Sequence, residues 1–377
     1  VYSDFYFRGE QMNASVIGIG KLGLCFALTI EKCGYNVIGV DTSQEYVDLI
    51  NKKALKSSEP DVETFLQASK NFTATTSLEK AVEHSNILFV VVATPSLENG
   101  RYDHSQVNTL VANLESLGKQ DKEKHFIVCC TTMPGYCESI KERLNDLNYT
   151  VSYNPEFIAQ GTILKNQAYP DMVLIGEGSR EAGDIIQTIY EKHTLNEPRI
   201  CRMSPTEAEI AKISLNCFLT TKIAYANMIG DIVISAGGDP KKVLEAIGED
   251  SRIGPKYLGY GYGYGGPCFP RDNRALAIYA KDLGIDALIS IASDESNADH
   301  LDYQVKNFID NNDKEKEIVF DYVTYKPEST LLVESQQLAF AVEIAKNGFK
   351  IKIKEREEVI ARLRSKHGDL FTYERRN

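Results

Sequence analysis

Cys268 stands in Gly265-Gly266-Pro267-Cys268-Phe269-Pro270-Arg271-Asp272, two residues ahead of Pro270 and four ahead of Asp272. Proline is tolerated in the first turn of a helix, and the unpaired N–H groups and dipole at that end favour thiolate over thiol. The string predicts a nucleophilic sulfur with a carboxylate one turn away to handle a proton or orient a water. A lone cysteine is more often a small buried apolar residue, and Asp272 alone would be an ordinary helix-start acid. Other segments carry compatible groups. Lys212 and Asn216 are four apart in helical text, so an ammonium and an amide share one face. Thr131-Thr132-Met133-Pro134-Gly135 and Asn154-Pro155-Glu156-Phe157 each follow a strand pattern, where α/β folds place ligand-binding loops.

A phosphate-binding signature lies near the start. Gly18-Ile19-Gly20-Lys21-Leu22-Gly23 follows a strand pattern, opens a helix, and is trailed by a second strand that ends at Asp41. Gly18 allows the tight turn, Gly20 lets backbone approach a pyrophosphate, and Gly23 packs helix on strand. Asp41 would accept from ribose hydroxyls and repel a 2′-phosphate, which predicts NAD over NADP.

These residues need a scaffold, and the hydrophobic pattern supplies one. Short β-branched runs at 15–18, 37–40, 87–92, 126–129 and 172–175 alternate with amphipathic stretches, predicting a parallel sheet covered on both faces. Residues 206–236 carry apolar positions at helical spacing with no internal proline and end at Gly237-Gly238, a single helix of about 45 Å. Further helices are expected at 240–247 and 274–283, around a glycine- and tyrosine-rich stretch at 259–266. Alternation resumes with a strand at 318–320, a helix at 335–346 and a strand at 350–353. Residues 1–11 precede the first pattern and read, with Met12, as an extension or expression remnant.

Composition limits the partners. The chain has 377 residues, 42 Lys+Arg against 53 Asp+Glu, and a net charge of −11, which argues against nucleic acid as a main partner. No run approaches the roughly 18 to 20 uncharged apolar residues of a membrane span, so a cytoplasmic location is expected. Eight cysteines in a chain this long make a sparse disulfide framework, and reduced thiols are expected. No Cys/His cluster has zinc spacing, so no metal is expected.

Taken in order, Ser57 to Pro60, Ala93-Thr94-Pro95, Asn154 to Phe157, Pro170 to Gly176, Ala208 to Phe218, Asp250 to Gly254, Gly263 to Asp272, Tyr325-Lys326-Pro327 and Glu334-Ser335 resemble the UDP-glucose/GDP-mannose dehydrogenase family. The resemblance implies an α/β fold of two Rossmann-like doubly wound domains joined by a long central helix that also forms a homodimer interface. The implied division is an NAD-binding domain at 13–203, a helical dimerisation domain with a substrate loop at 204–298, and a shortened nucleotide-sugar-binding domain at 299–377.

The resemblance also implies NAD-dependent four-electron oxidation of UDP-glucose to UDP-glucuronate. Cys268 would form a thiohemiacetal and then a thioester, without which the second hydride has no sp³ carbon to leave. Lys212 and Asn216 would stabilise charge on the sugar oxygen, Asp272 would serve as acid/base partner, and Thr132 and Glu156 would position water and substrate. Thr94, Pro95, Thr132, Lys21 and Leu22 would join the fingerprint around NAD. Phe157, Arg252, Lys256, Tyr257, Gly265 and Lys326 would contact the nucleotide sugar, Arg252 reaching into a neighbouring subunit. Alternating Tyr260, Tyr262 and Tyr264 suit ring stacking and phosphate approach. Departures from the family pattern are Gln160 for a frequent Glu, Lys21 for a frequent Tyr, and the trimmed third domain. Alternatives are a dehydrogenase of GDP-mannose or a UDP-N-acetylhexosamine, a single-step hydroxyacid dehydrogenase that has no need for Cys268, and a non-catalytic nucleotide-binding module.

Overall fold

A computed structural model describes residues 12–158, 161–327 and 329–376. The expectations for residues 1–11 and for Gln160 fall outside the described residues. Met12 packs partly buried against the core, and its carbonyl accepts from Asn36 N at 2.8 Å. The chain forms two compact units, with the boundary between Lys212 and Ile213.

The first unit is built on eight strands: β1 (Asn13–Ile17), β2 (Asn36–Val40), β3 (Phe72–Thr75), β4 (Ile87–Val90), β5 (Lys124–Val128), β6 (Tyr149–Tyr153), β7 (Met172–Gly176) and β8 (Arg199–Met203). Their order is β3-β2-β1-β4-β5-β6-β7-β8. Both faces of the sheet are buried, as the period of two requires. Val16, Phe89 and Ile127 join one core, while Ile17, Leu88, Val90, Phe126 and Val128 join the other. Strand order reverses between β1 and β4, which opens a crevice at their carboxyl ends. One pairing differs from the all-parallel expectation: β7 runs antiparallel to β6, with Tyr153 opposite Gly176. Their connection, which carries helix Ile163–Ala168, delivers the chain to β7 from the opposite direction, and the two strands meet at their carboxyl ends.

Helix Pro205–Ser235 starts and ends within a residue of the expected span. By length and composition it is long and apolar enough to cross a membrane, which the sequence reading did not anticipate. Its buried polar side chains are nonetheless satisfied by protein: Thr220 Oγ1 donates to Cys217 O at 2.8 Å, and Asn227 Oδ1 accepts from Gly261 N at 3.0 Å.

The second unit holds a three-stranded parallel sheet, β9 (Glu317–Phe320), β10 (Lys350–Glu355) and β11 (Thr372–Arg375), in the order β11-β10-β9. Phe320, Ile351 and Ile353 pack with Phe340 and Ile344 from helix Gln336–Lys346, and Phe308 of helix Leu288–Asn311 joins them. Ser335 caps helix Gln336–Lys346 by accepting from Leu338 N. Helix Phe269–Asp282 begins at Cys268, its N-cap residue, with Pro270 in the first turn as the sequence suggested.

Candidate active site

The glycine fingerprint forms the turn between β1 and helix Lys21–Lys32. Gly18 has φ +90°, and a Cβ there would lie 2.7 Å from the carbonyl oxygen of Val91. A Cβ on Gly23 would run into the carbonyl of Gly18. Gly20 differs: its φ is −61° and an added Cβ would meet nothing within 4 Å. Neither backbone nor packing demands glycine at 20, so the bare backbone at this helix N-terminus is left for a ligand, as a dinucleotide pyrophosphate requires. Asp41 directly follows β2, half-buried, and its Oδ1 accepts from Ser43 N at 3.0 Å. Lys21 is exposed and Leu22 half-buried in the first turn, and exposed Pro95 follows buried Thr94 after β4. Thr94 Oγ1 donates to Thr131 O at 2.7 Å, joining the loops that follow β4 and β5.

The Thr132 loop is held by a residue that sequence reasoning missed. Thr132 is fully buried and its hydroxyl donates to Glu209 Oε1 at 2.8 Å. The same carboxylate accepts from Cys137 N at 2.9 Å and from Gly135 N at 2.6 Å. Glu209 thus caps helix Tyr136–Asn145 from another element, and burial pushes its carboxyl upward despite these donors. His104 Nε2 accepts from Met133 N at 3.2 Å and its ring stacks on Tyr136. Burial drives His104 down to about 4, which keeps that nitrogen an acceptor at neutral pH.

Glu156 and Lys212 meet as expected, in an unforeseen way. Lys212 is 8 % exposed, and its Nζ donates to the backbone carbonyl of Glu156 at 2.8 Å while lying 4.1 Å from the centre of the Phe157 ring. The Glu156 carboxylate accepts from Tyr190 Oη at 3.0 Å. Burial raises it to about 7, opposed by the Tyr190 hydrogen bond and the Lys212 charge.

In the second unit, Asn216 Nδ2 donates to Asp272 Oδ2 at 2.6 Å, and Arg271 Nε lies 3.3 Å from the other oxygen. Asp272 is 1 % exposed, whereas Cys268, whose carbonyl accepts from Asp272 N, is exposed. Tyr257 (φ +61°) sets its ring edge-on to Phe269, beside the cysteine. Burial and then the charge of Cys268 push the Tyr325 phenol upward, and Lys326 Nζ lies 5.5 Å from the Tyr325 ring. The turn at Gly265-Gly266 is seated on the 325–334 segment: Gly266 (φ +80°) donates to Val333 O at 3.0 Å, and a Cβ on Gly265 would strike Glu334 O. Arg252 is exposed and held by Asp250 on its own turn through bonds of 2.9 and 2.7 Å.

The tyrosines of the glycine-rich loop differ from expectation. Tyr260 Oη donates to Asp231 at 2.9 Å, Tyr264 Oη donates to Asp294, and the Tyr262 ring packs edge-on to Phe340. Asn297 both donates to Tyr264 O and accepts from Tyr264 N. The Tyr260 and Tyr264 hydroxyls and the Tyr262 ring thus anchor the loop within its own unit. The eight cysteines form no disulfide. One group of potential metal ligands lies among the described residues, Glu123, His125 and Glu181, at the opposite end of β5 from the Thr132 loop. His125 Nε2 and Glu181 Oε1 are 3.9 Å apart, the spacing of an ion pair.

Comparison with known proteins adds to this geometry. Residues 12–194 match the NAD binding domain of the UDP-glucose/GDP-mannose dehydrogenase family, and residues 206–299 match that family's central domain. A GDP-mannose 6-dehydrogenase of Pseudomonas aeruginosa is 29 % identical, over 93 % of this chain and 83 % of its own. A UDP-glucose 6-dehydrogenase of Rickettsia bellii is 30 % identical, over 89 % of this chain and 78 % of its own. The solved structure of a UDP-glucose dehydrogenase from Pyrobaculum islandicum superposes with a TM-score of 0.85 at 27 % identity, covering 97 % of this chain and 86 % of that one.

Proposed function

Because the chain belongs to the UDP-glucose/GDP-mannose dehydrogenase family, and is therefore an NAD-dependent nucleotide-sugar dehydrogenase, we propose that its substrate is UDP-glucose and its product UDP-glucuronate, formed by two successive oxidations at C6. NAD, when bound, takes up the hydride of each oxidation. An aldehyde carbon cannot lose hydride to give an acid until a nucleophile has made it tetrahedral. Cys268 performs that addition as thiolate, giving a thiohemiacetal; loss of hydride leaves a thioester, and water releases the carboxylate and regenerates the thiol. Lys212 and Asn216 donate to the oxygen that carries developing negative charge. Asp272 takes the proton from that oxygen or from the attacking water. Glu156, raised to about 7, has the affinity of a proton acceptor at working pH and orients substrate or water.

The observation that carries this reading is the Asn216–Asp272 hydrogen bond of 2.6 Å, which joins two expected catalytic groups one helical turn from the exposed Cys268. The test is stoichiometry. UDP-glucose should reduce two NAD per sugar and outpace GDP-mannose and UDP-N-acetylmannosamine, and Cys268→Ser should release no uronate. One NAD per sugar, or normal turnover by Cys268→Ser, refutes the thioester route, while preference for another sugar refutes only the substrate. The reading includes a homodimer. Leu215, Phe218, Tyr225, Met228 and Ile232 are exposed at helical spacing on helix Pro205–Ser235, and such a stripe suits burial against a second copy.

A further inference from the structure

The middle of the glycine-rich loop is gripped by a buried histidine. His300, on helix Leu288–Asn311, is 2 % exposed. Its Nδ1 lies 2.7 Å from Asp231 Oδ2, and its Nε2 lies 2.7 Å from the carbonyl oxygen of Gly261. Both partners are acceptors. A neutral imidazole has one N–H and one lone pair, so it would aim that lone pair at a carboxylate or a carbonyl. Only the doubly protonated ring donates in both directions, and the adjacent carboxylate balances its charge. The surroundings fit such a clasp. Tyr260 Oη donates to the other oxygen of Asp231 at 2.9 Å, Gln304 Nε2 donates to Gly261 O at 3.0 Å, and the Tyr260 and His300 rings meet edge to face.

We infer that His300 is a positioning residue: as an imidazolium bridging Asp231 and the Gly261 carbonyl, it fixes the 257–265 loop in the conformation that receives the nucleotide sugar. The role in substrate binding rests on the function proposed above; the clasp itself rests on the geometry alone. His300 touches neither the reacting carbon nor the cofactor in this assignment, so it acts on substrate affinity and not on the chemical step.

Three variants separate the clasp from general packing. His300→Gln cannot donate in two opposed directions and leaves one acceptor unmet. Asp231→Asn turns one end into a donor: its carbonyl still accepts from Tyr260, its amide donates to Nδ1, and a neutral ring then donates from Nε2 to Gly261 O. Gln304→Leu removes the second donor to that carbonyl together with the Gln304 hydrogen bond to Tyr260, leaves the imidazole in place, and so reports on the loop if His300→Gln does not fold.

The full-length protein is measured in three ways: histidine ¹⁵N resonances, chymotrypsin cleavage within 257–265, and KM and kcat with the sugar nucleotide that supports turnover. The wild type should show both His300 ring nitrogens as N–H, and Asp231→Asn only one. His300→Gln should raise KM for the sugar nucleotide on the order of tenfold to a hundredfold, the range of a lost charge-assisted hydrogen bond, and speed loop cleavage, with KM for NAD and kcat within about twofold of wild type on the same basis. Gln304→Leu should show the same pattern at a few-fold, as for a neutral hydrogen bond, and Asp231→Asn should stay close to wild type in KM and cleavage. A single N–H on the wild-type ring, or Asp231→Asn as damaging as His300→Gln, overturns the clasp. Unchanged KM in both His300→Gln and Gln304→Leu overturns its role in substrate binding. A wild type with both N–H signals and slow cleavage that reduces no NAD supports the clasp and refutes the substrate assignment instead.

Discussion

Glu156→Gln should change the pH dependence of stability by an amount the structure sets. The Glu156 carboxyl is raised from an ordinary 4.5 to about 7, chiefly by burial. Between those values the folded chain holds a proton that the unfolded chain has released, so stability falls as pH rises from 4.5 to 7. The full difference is about 3 kcal/mol, taking 1.36 kcal/mol per pKa step. His104 and His193 act in the opposite sense. Each is lowered by burial from 6.5 to about 4, so the unfolded chain binds their protons first and stability rises between pH 4 and 6.5. The wild-type curve is therefore a sum of opposed slopes, and only a difference isolates Glu156. Glutamine resembles the protonated carboxyl in size and charge, so the variant should match wild type near pH 4.5. At pH 8 it should be more stable by about 3 kcal/mol, the opposing effects of Tyr190 and Lys212 being already contained in the raised value. Urea unfolding of both chains at each pH reads the difference, and the acidic limb of kcat/KM near pH 7 should vanish in the variant. Parallel stability curves for the two chains would refute a buried, proton-holding Glu156.

Two more substitutions test the first unit. Gly20→Ala should leave the melting temperature within about 1 °C, since the added methyl meets no protein atom, yet weaken NAD binding by at least about tenfold by filling the pyrophosphate's approach; unchanged affinity in a calorimetric titration would remove the nucleotide from that turn. Glu209→Ala strips the acceptor from Thr132, Gly135 and Cys137 and should cost about 3–5 kcal/mol. That corresponds to a fall of roughly 10 °C in the melting transition, and a shift of only 2–3 °C would show that the loop finds other acceptors.

The sequence exposed what depends on local periodicity and on backbone chemistry. The fingerprint is legible because Gly18 and Gly23 answer steric demands within one β-turn-α unit, and the long helix because no proline falls inside it before Gly237-Gly238 and its one internal glycine, Gly230, does not break the apolar spacing. Strands β3 and β8 escaped because Phe-Thr-Ala-Thr and Arg-Ile-Cys-Arg-Met are short edge strands whose polar positions dilute the apolar signal. Helix Leu288–Asn311 escaped because its middle is rich in Ser, Asp and Asn, which weigh against helix in isolation. The site divides the same way. Cys268, Asp272 and Asn216 stood out as candidates by residue type and spacing, and the last two are joined by a hydrogen bond of 2.6 Å. Glu209 and His300 did not stand out, since each is placed by hydrogen-bond partners dozens of residues away, and nothing in their neighbouring sequence marks them. The anchoring of Tyr260 and Tyr264 was hidden for the same reason, their hydroxyls donating to Asp231 and Asp294 on helices distant in the chain.

The seat beneath Gly265-Gly266 constrains how this scaffold can be re-engineered. The turn that presents the cysteine is moulded on Tyr325, Val333 and Glu334, and Arg274 of the cysteine's own helix grips Glu334 through two bonds of 2.8 and 2.7 Å. A graft that replaces everything from residue 299 onward would also recast the mould of the turn that carries Cys268. A seam placed after Ser335 would keep Tyr325, Val333 and Glu334 but remove Glu355, whose carboxylate accepts from Val323 N and Thr324 N at 3.1 and 3.3 Å, so such a graft must retain a carboxylate at that place.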